Sequence, residues 1–363
     1  MDELHDAWAA YHDRRFGRAA QFASEGALAA TEPAALARCL AVGGRIQHAA
    51  GDLDAAERML GDAIEHAVGP DRVTPAAWLG VMRAHQSRLT QAVQLLRPAT
   101  ETGVGVEHSS VTPDALLYTG HAHALGGRPA QALDFFDRYA AKVEHRDAAR
   151  SVNFSGWVLR NIGAGDEALE LHQQALEVAV TSSETVEVAI AAMEDLAEHA
   201  LDHADVDRAA RRVDEAESSL VGDLVFGWRL SMKLRLLQGR VALARGDGES
   251  ALMYASVLAR RAEAAGIPRY SSVARLLGHR ARAALGRPVE FAQVESDLDA
   301  VDRSVALESW WLTGIMAAEL RVPAWVDRAA ARVDALANAS GERGAAFRAH
   351  AAPRLDAWRV AAG

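Results

Sequence analysis

Small and apolar residues recur along this chain in a fixed order. A small residue is followed seven positions later by a turn, and three apolar residues come five, four and three positions further on. The members of the clearest copy are Gly44, Gly51, Asp52, Ala56, Leu60 and Ala63. Spacings of three and four put side chains on one face of a helix, and glycine followed by aspartate is typical of one helix ending and another beginning. The pattern predicts two helices that meet closely at Gly44.

The same order returns at intervals of 36 to 42 residues along most of the chain. The copies begin at Gly44, Gly80, Gly120, Gly156, Ala197, Gly239 and Gly278. The copy at Ala197 is weak, and in the copy at Gly278 a proline, Pro288, stands where the second helix should start. Self-similarity at a period of this size is the mark of a helical repeat array, which grows by adding units.

The ends of the chain and one long connection complete the predicted helices. Residues around Trp8 and Phe22 suit an N-terminal capping unit, and Leu307 to Asn338 suit a further helix pair. Glu342 to Val360 is predicted as a terminal capping helix, and Thr100 to Thr112 as the longest loop. Neighbouring residues on a helix point about 100° apart, so we expect one ring of the pair Trp310-Trp311 to be buried and the other exposed.

Composition agrees with an all-helical protein and limits the partners and the cellular compartment that we expect for it. Hydrophobic residues make up 50% of the chain and aromatic residues only 6%, and the abundant alanine favours helix. The net charge of −10 disfavours nucleic acid as a partner. The single cysteine, Cys39, excludes an internal disulfide and a cysteine-based zinc cluster. With neither a signal-peptide pattern nor a long apolar run, we expect a cytoplasmic protein.

The small-residue positions resemble those of tetratricopeptide repeats, and the wide spacing is similar to the arrays of bacterial regulators of the maltose-activator type. The resemblance implies an all-α, right-handed α-α superhelical solenoid whose first helix in each pair lines the concave surface. We predict an array over residues 1–286, with about seven units and an N-terminal cap. Residues 287–363 are predicted as degenerate repeats and a capping helix, continuous with the array.

In the family, fixed positions of each repeat line the concave surface. Transferring these positions to this chain by the register of its repeats gives a polar groove. The predicted groove residues are Arg45, His48, His121, Arg150, Asn153, Trp157, Arg160, Asn161, Lys233, Arg240, Arg275 and His279. Counted with Arg38 and Arg282, eight cationic side chains at these positions face three acidic ones, which are Asp114, Glu194 and Glu198. A basic lining would attract a carboxylate, a phosphate or an acidic peptide segment. The alternative is that the arginines only keep this face soluble.

One predicted helix stands out because five of these residues, from Arg150 to Asn161, share a face at spacings of three and four. An amide can pair with a peptide backbone, arginine can hold acidic groups, and Trp157 offers a flat apolar contact typical of binding hot spots. The competing interpretation has Trp157 packed against the neighbouring unit.

Motifs for catalysis are missing from the sequence. It contains no phosphate-binding loop, dinucleotide fingerprint or nucleophile elbow. His199 and His203, four positions apart on a helix, could share a metal ion, but a solvated helix face is the favoured interpretation. We therefore expect no enzymatic activity, no cofactor and no metal.

The sequence hence predicts a non-catalytic scaffold or adaptor that binds a protein or peptide, with acidic or carboxylate groups, in its concave groove. The alternative is a regulatory protein that senses a ligand or peptide and controls a separately encoded effector. Membranes and nucleic acids are not expected as partners, and the identity of the partner and the oligomeric state are left open.

Overall fold

The computed structural model describes residues 2–101, 111–181 and 185–363, without the side chain of Asp2. Within these ranges the secondary structure is helical, with nineteen α-helices and no strand. Residues 102–110 of the loop predicted from Thr100 to Thr112 lie outside the described residues, and the ends of that predicted loop belong to helices. None of the described helices is both long and apolar enough to cross a membrane.

Eighteen of the described helices follow one another in pairs, and a nineteenth stands at the end. The pairs are α1 (Asp2–His12) with α2 (Phe16–Ala29), α3 (Pro33–Ala50) with α4 (Leu53–His66), α5 (Val73–His85) with α6 (Leu89–Glu101), α7 (Val111–Leu125) with α8 (Pro129–Ala140), α9 (His145–Asn161) with α10 (Gly165–Ala179), α11 (Val186–Asp202) with α12 (Val206–Ser219), α13 (Gly227–Ala244) with α14 (Gly248–Ala264), α15 (Pro268–Ala284) with α16 (Phe291–Ser304), and α17 (Ala306–Leu320) with α18 (Pro323–Ala339). The last helix is α19 (Gly344–Ala362). The predicted all-α solenoid of tetratricopeptide-like helix pairs is confirmed.

Two compact units make up the chain. Unit 1 consists of residues 1–119 and 220–231, and unit 2 of residues 120–219 and 232–363. Unit 1 thus combines the first three helix pairs and the start of α7 with a short segment that comes from much later in the chain. The boundary that the sequence suggested at residue 286 stays a prediction.

The turns between paired helices follow from the glycine and aspartate of the repeat. Gly51 ends α3 with a φ of 97°, a left-handed conformation that favours glycine. Asp52 then caps α4, because its carboxylate accepts a hydrogen bond of 3.0 Å from the backbone N–H of Ala55. Asp247 does the same for α14, accepting from Ser250 at 3.0 Å.

In four consecutive copies the first small residue lies where the two helices of a pair come close together. A Cβ atom added to it would lie less than 3 Å from a side chain sixteen positions later, which no real contact tolerates. These contacts join Gly44 to Leu60, Gly80 to Leu96, Gly120 to Phe136 and Gly156 to His172. The role predicted for the small residue is therefore confirmed in four consecutive copies.

The C-terminal region contains complete helices. Pro288 lies in the turn before α16, which begins at Phe291 and runs for 14 residues. Helices α17 and α18 match the predicted pair, and α19 matches the predicted terminal helix. Trp310 is buried as expected, at 1% exposure. Trp311 is half-buried and not exposed, because its indole N–H donates to Asn161 Oδ1 at 3.0 Å.

Candidate functional site

The first helices of the pairs in unit 2 carry a buried network of charged side chains. Asp195 on α11 accepts a hydrogen bond of 2.7 Å from Asn153 Nδ2 and pairs with the ammonium of Lys233. Burial opposes the charge of Asp195, but Lys233 and His172 outweigh it and lower its pKa. Burial likewise works against the charge of Lys233, yet Asp195, Glu198 and Glu194 raise its pKa to about 12. Both groups are therefore charged at neutral pH.

Glu198, one helical turn after Asp195, is the second centre of the network. Its carboxylate lies 2.8 Å from Arg160 Nη2, 2.8 Å from Arg240 Nη1 and 3.6 Å from Lys233 Nζ. Burial opposes ionisation of Glu198, but these cations and Arg269 lower its pKa. A buried carboxylate of this kind stabilises three cations that would otherwise be desolvated without a partner.

Helix α17 adds a carboxylate and two indoles to the same face. Glu308 Oε1 accepts from Trp157 Nε1 at 3.0 Å and pairs with Arg269 Nη2 at 2.5 Å. The indole N–H of Trp310 donates to the carbonyl oxygen of Asn161 at 3.0 Å. Four of the side chains predicted to line an open groove on α9 are thus held by hydrogen bonds inside unit 2, namely those of Asn153, Trp157, Arg160 and Asn161.

Six predicted groove residues come together in this part of unit 2. They are Asn153, Trp157, Arg160, Asn161, Lys233 and Arg240. The count of cations against carboxylates missed Asp195 and Asp202, which pair with these cations. It also missed Glu308, which accepts from Trp157 and pairs with Arg269. A signal for two of these was present, since residues 195, 198 and 202 form an acidic stripe along one face of α11.

The other predicted residues of unit 2 lie elsewhere. Arg275 and His279 meet on Asp297, with Arg275 Nε at 2.6 Å from Oδ1 and His279 Nε2 at 3.0 Å from Oδ2. His121 is buried, its ring centroid 5.2 Å from that of Phe154. Arg150 is half-buried.

In unit 1 the predicted residues Arg45 and His48 are both buried. Arg45 Nη2 lies 2.9 Å from Asp114 Oδ2. His48 Nε2 shares a hydrogen bond of 2.9 Å with His85 Nδ1. Burial, reinforced by the charge of Arg45, holds the pKa of His48 well below its usual value, so this imidazole is neutral.

Unit 2 contains an open pocket of about 780 Å³. Its wall is built from the C-terminal ends of α9, α11, α13 and α15, from one face of α17 and from α19. The lining residues are Arg160, Asn161, Leu201, Asp202, Arg240, Leu243, Ala244, Arg280, Ala283, Ala284, Trp310, Trp311, Ile315, Glu319, Arg354, Ala357 and Trp358. Three tryptophans and four arginines give it both apolar and cationic walls. Sequence reasoning missed Arg280, Arg354 and Trp358, because nothing in the repeat pattern marks them.

The arginines that line the pocket differ in whether they form an ion pair with a described residue. Arg240 pairs with Glu198, and Arg280 forms a two-pronged pair with Glu319 whose shortest contact is 2.7 Å. Arginines at helix C-termini also offset the partial negative charge of the last carbonyl groups. Arg354 differs, since it is exposed and has no ion pair with any residue that the structure describes.

The described residues contain no group of three or more His, Cys, Asp and Glu side chains placed to hold a metal ion. The rings of His199 and His203 lie 4.3 Å apart, and His203 Nδ1 donates to the carbonyl oxygen of His199 at 2.9 Å. One nitrogen of the pair is therefore engaged with the helix backbone.

Comparison with solved structures places the fold among helical repeat proteins. A Rap protein complexed with Competence and Sporulation Factor has a TM-score of 0.54 and 12% identity, over 90% of this chain and 99% of that one. RapI in its apo form has a TM-score of 0.48 and 11% identity, over 97% and 98% of the two chains. No protein-family model and no curated protein matches the sequence. At such identity the Rap match shows the fold alone.

Proposed function

We propose that this chain is a non-catalytic binding protein that takes a short acidic segment of a protein or peptide into the pocket of unit 2. The observation that carries the proposal is the unpaired Arg354 beside half-buried tryptophans in a cavity of about 780 Å³. The protein of similar fold complexed with Competence and Sporulation Factor is consistent with a binding role for such an array.

The apolar part of the ligand would lie against Trp311 and Trp358. Both rings are half-buried and line the pocket. The guanidinium of Arg240 is stacked over the Trp311 ring, with Cζ 5.3 Å from its centroid, and this fixes the ring without covering it fully. Large, fixed aromatic rings are the groups that carry most energy in binding interfaces.

The acidic part would pair with Arg354. The buried cations Arg160, Lys233 and Arg240 are already neutralised by Asp195, Glu198 and Asp202, so they offer little net attraction. A carboxylate at Arg354 would gain a charge-assisted hydrogen bond without breaking an existing ion pair. The proposed selectivity for acidic segments therefore depends on this one side chain more than on the groove predicted from sequence.

The test is selection of peptides from a random display library on the intact protein, with counter-selection on the Arg354→Glu variant. We expect the enriched peptides to carry Asp, Glu or a free C-terminus beside an apolar residue. Titration calorimetry with one enriched peptide should show a loss of affinity of about tenfold or more for Arg354→Glu, since opposite charge is replaced by like charge.

Arg359→Glu is the matched control, because Arg359 is exposed on the same helix, pairs only with Asp356 among the described residues and does not line the pocket. It should bind the peptide like the unaltered protein. Equal affinity of all three proteins, or peptides without any acidic group, would count against the proposal.

A sensor for a small acidic ligand is the second candidate, and the size of the pocket favours it. Sites for small molecules usually measure about 300–1,000 Å³, which includes the cavity seen here. A sensor should change its radius of gyration in small-angle scattering when a peptide enriched in the display selection is added as the ligand. A scaffold should bind the same ligand at unchanged radius.

A further inference from the structure

Unit 1 contains a segment that covers the polar inner face of its own helices. This inner face consists of Arg45, His48, His85, Asp114 and Tyr118, which lie on the first helices of three successive pairs. The covering segment is Leu224–Trp228, which consists of the end of the connection between α12 and α13 and the first two residues of α13. Residues 220–231 belong to unit 1, although their neighbours in sequence on both sides belong to unit 2.

Phe226 is the centre of the contact. Its ring centroid lies 4.7 Å from that of His48, 4.9 Å from that of His85 and 5.0 Å from Cζ of Arg45. Its backbone N–H donates to the carbonyl oxygen of Ala49 at 3.0 Å. Phe226 is only 4% exposed, so its aromatic ring is almost fully buried against polar side chains.

Trp228 supplies the second anchor. Its indole N–H donates to the carbonyl oxygen of His48 at 3.1 Å. Its ring lies against Gly51, where a Cβ atom would come within 2.9 Å. Phe226 through its backbone N–H and Trp228 through its indole N–H thus both donate to carbonyl groups at the end of α3. Buried aromatic anchors of this kind carry much of the energy when a peptide is bound.

Several features set the segment apart from a permanent part of the core. Phe226 has a φ of 58°, in the left-handed region that a bulky residue adopts only at a cost in free energy. His48 Nδ1 is buried without a hydrogen-bond partner among the described residues, and such an atom is better satisfied when water or another hydrogen-bonding group reaches it. A cavity of about 410 Å³ borders Trp228 and Leu224 on the side of Phe16 and Ala50.

We propose that the inner face of unit 1 is a peptide-binding surface, and that Leu224–Trp228 is its built-in ligand. A partner segment with the same chemistry, in which phenylalanine is followed by glycine and tryptophan, would replace it. The structure shows the ligand chemistry directly, because the chain's own residues occupy the surface. This surface and the pocket of unit 2 are tested with different variants, so either proposal can fail alone.

The experiment uses the full-length protein with Phe226→Ala and Trp228→Ala, which empties the face. The probe is a fluorescent synthetic peptide with the sequence of residues 220–231, and binding is followed by fluorescence anisotropy. We expect the double variant to bind it at least about tenfold more tightly than the unaltered protein does, because there the attached segment competes at an effective concentration in the millimolar range. A peptide with alanine at both aromatic positions should not bind.

A double variant that is folded by circular dichroism but does not bind the peptide would overturn the proposal, as would equal binding by the unaltered protein. Hydrogen exchange on the unaltered protein gives a second test that needs no variant. The amides of residues 224–228 should exchange at least about tenfold faster than those in the middle of α3 and α5, because the segment opens without unfolding of unit 1. Exchange as slow as in those helices would show a fixed core element and would also overturn the proposal.

Discussion

The indole N–H of Trp157 donates to Glu308 Oε1 at 3.0 Å, across 151 positions of sequence. The guanidinium of Arg269 pairs with the same oxygen and lies over the Trp157 ring, with Cζ 4.9 Å from the centroid. Trp157 and Glu308 are buried, and the Arg269 side chain is only 14% exposed. One carboxylate therefore ties α9, α15 and α17 together.

Replacing Glu308 by alanine should destabilise unit 2 strongly. The change leaves the buried cation of Arg269 without its carboxylate and the Trp157 N–H without an acceptor. Breaking one side of a buried ion pair costs about 3–5 kcal/mol. Urea unfolding followed by circular dichroism should show this loss in the free energy of unfolding.

Glu319→Ala is the matched control, since Glu319 lies on the same helix and pairs with Arg280 near the surface. An exposed pair contributes about 0–1 kcal/mol, so this variant should unfold close to the unaltered protein. Similar losses in the two variants would mean that Glu308 acts only as a surface residue.

The repeat pattern was enough to predict the fold because the residues that carry it act locally. Gly51 ends a helix and Asp52 caps the next one within a few residues, so their roles can be deduced from spacing alone. Gly44 meets Leu60 within the same pair. The fold class, the helix pairs and the terminal helix followed from such short-range rules.

The candidate site was harder to predict because its contacts span several units. Phase assigned Arg160 and Arg240 to the inner face, but it could not show that Glu198 on the helix between them takes up their charge. Trp358 and Arg354 reach the pocket only because α19 packs on α17, and no repeat position encodes that contact. The repeat pattern therefore identifies which side chains share the inner face. The net charge of that face, in contrast, depends on ion pairs that form only in the folded structure.

Gly156→Ala should destabilise unit 2, because a methyl group there would lie 2.7 Å from the ring of His172, which is fully buried and cannot move aside. Overpacking of this kind costs about 1–3 kcal/mol. The measurement is the urea concentration at which half of the protein is unfolded, compared between proteins whose unfolding transitions have the same slope. Gly61→Ala on α4 is the contrasting change, since nothing lies within 4 Å of that position and alanine is the better helix former by roughly 1 kcal/mol. A stabilised Gly156→Ala variant would refute the close packing at this contact.

Cys39 should report on the opening of unit 1. Its side chain is buried at 7% exposure, its sulfur lies against Gly26, and burial raises the pKa of the thiol. Because the thiolate is the reactive form, labelling by a disulfide reagent at pH 8 should be at least about a hundredfold slower in the native protein than in urea. Because Cys39 is the only cysteine of the chain, the labelling rate belongs to this residue alone. Rapid labelling of the native protein would show that the α2–α3 contact is open.

His172 should make the stability of unit 2 depend on pH. Burial lowers its pKa to about 4, an effect to which Arg160 and Lys233 add and which Asp195 and Glu198 partly offset. Its Nδ1 shares a hydrogen bond with Asn153 Oδ1 at 2.8 Å. Above about pH 6.5 the imidazole is neutral in both the folded and the unfolded chain.

Between pH 6.5 and 4 the unfolded chain binds a proton that folded unit 2 excludes, so the free energy of unfolding falls as the pH falls. The loss from this residue is on the order of 3 kcal/mol over that range. Urea unfolding of the protein and of His172→Gln should therefore show a stability difference that is largest above pH 7 and narrows towards pH 4.5. Other histidines are present in both proteins and cancel in the comparison. A difference that stays constant with pH would mean that His172 is protonated in the folded chain as readily as in the unfolded one.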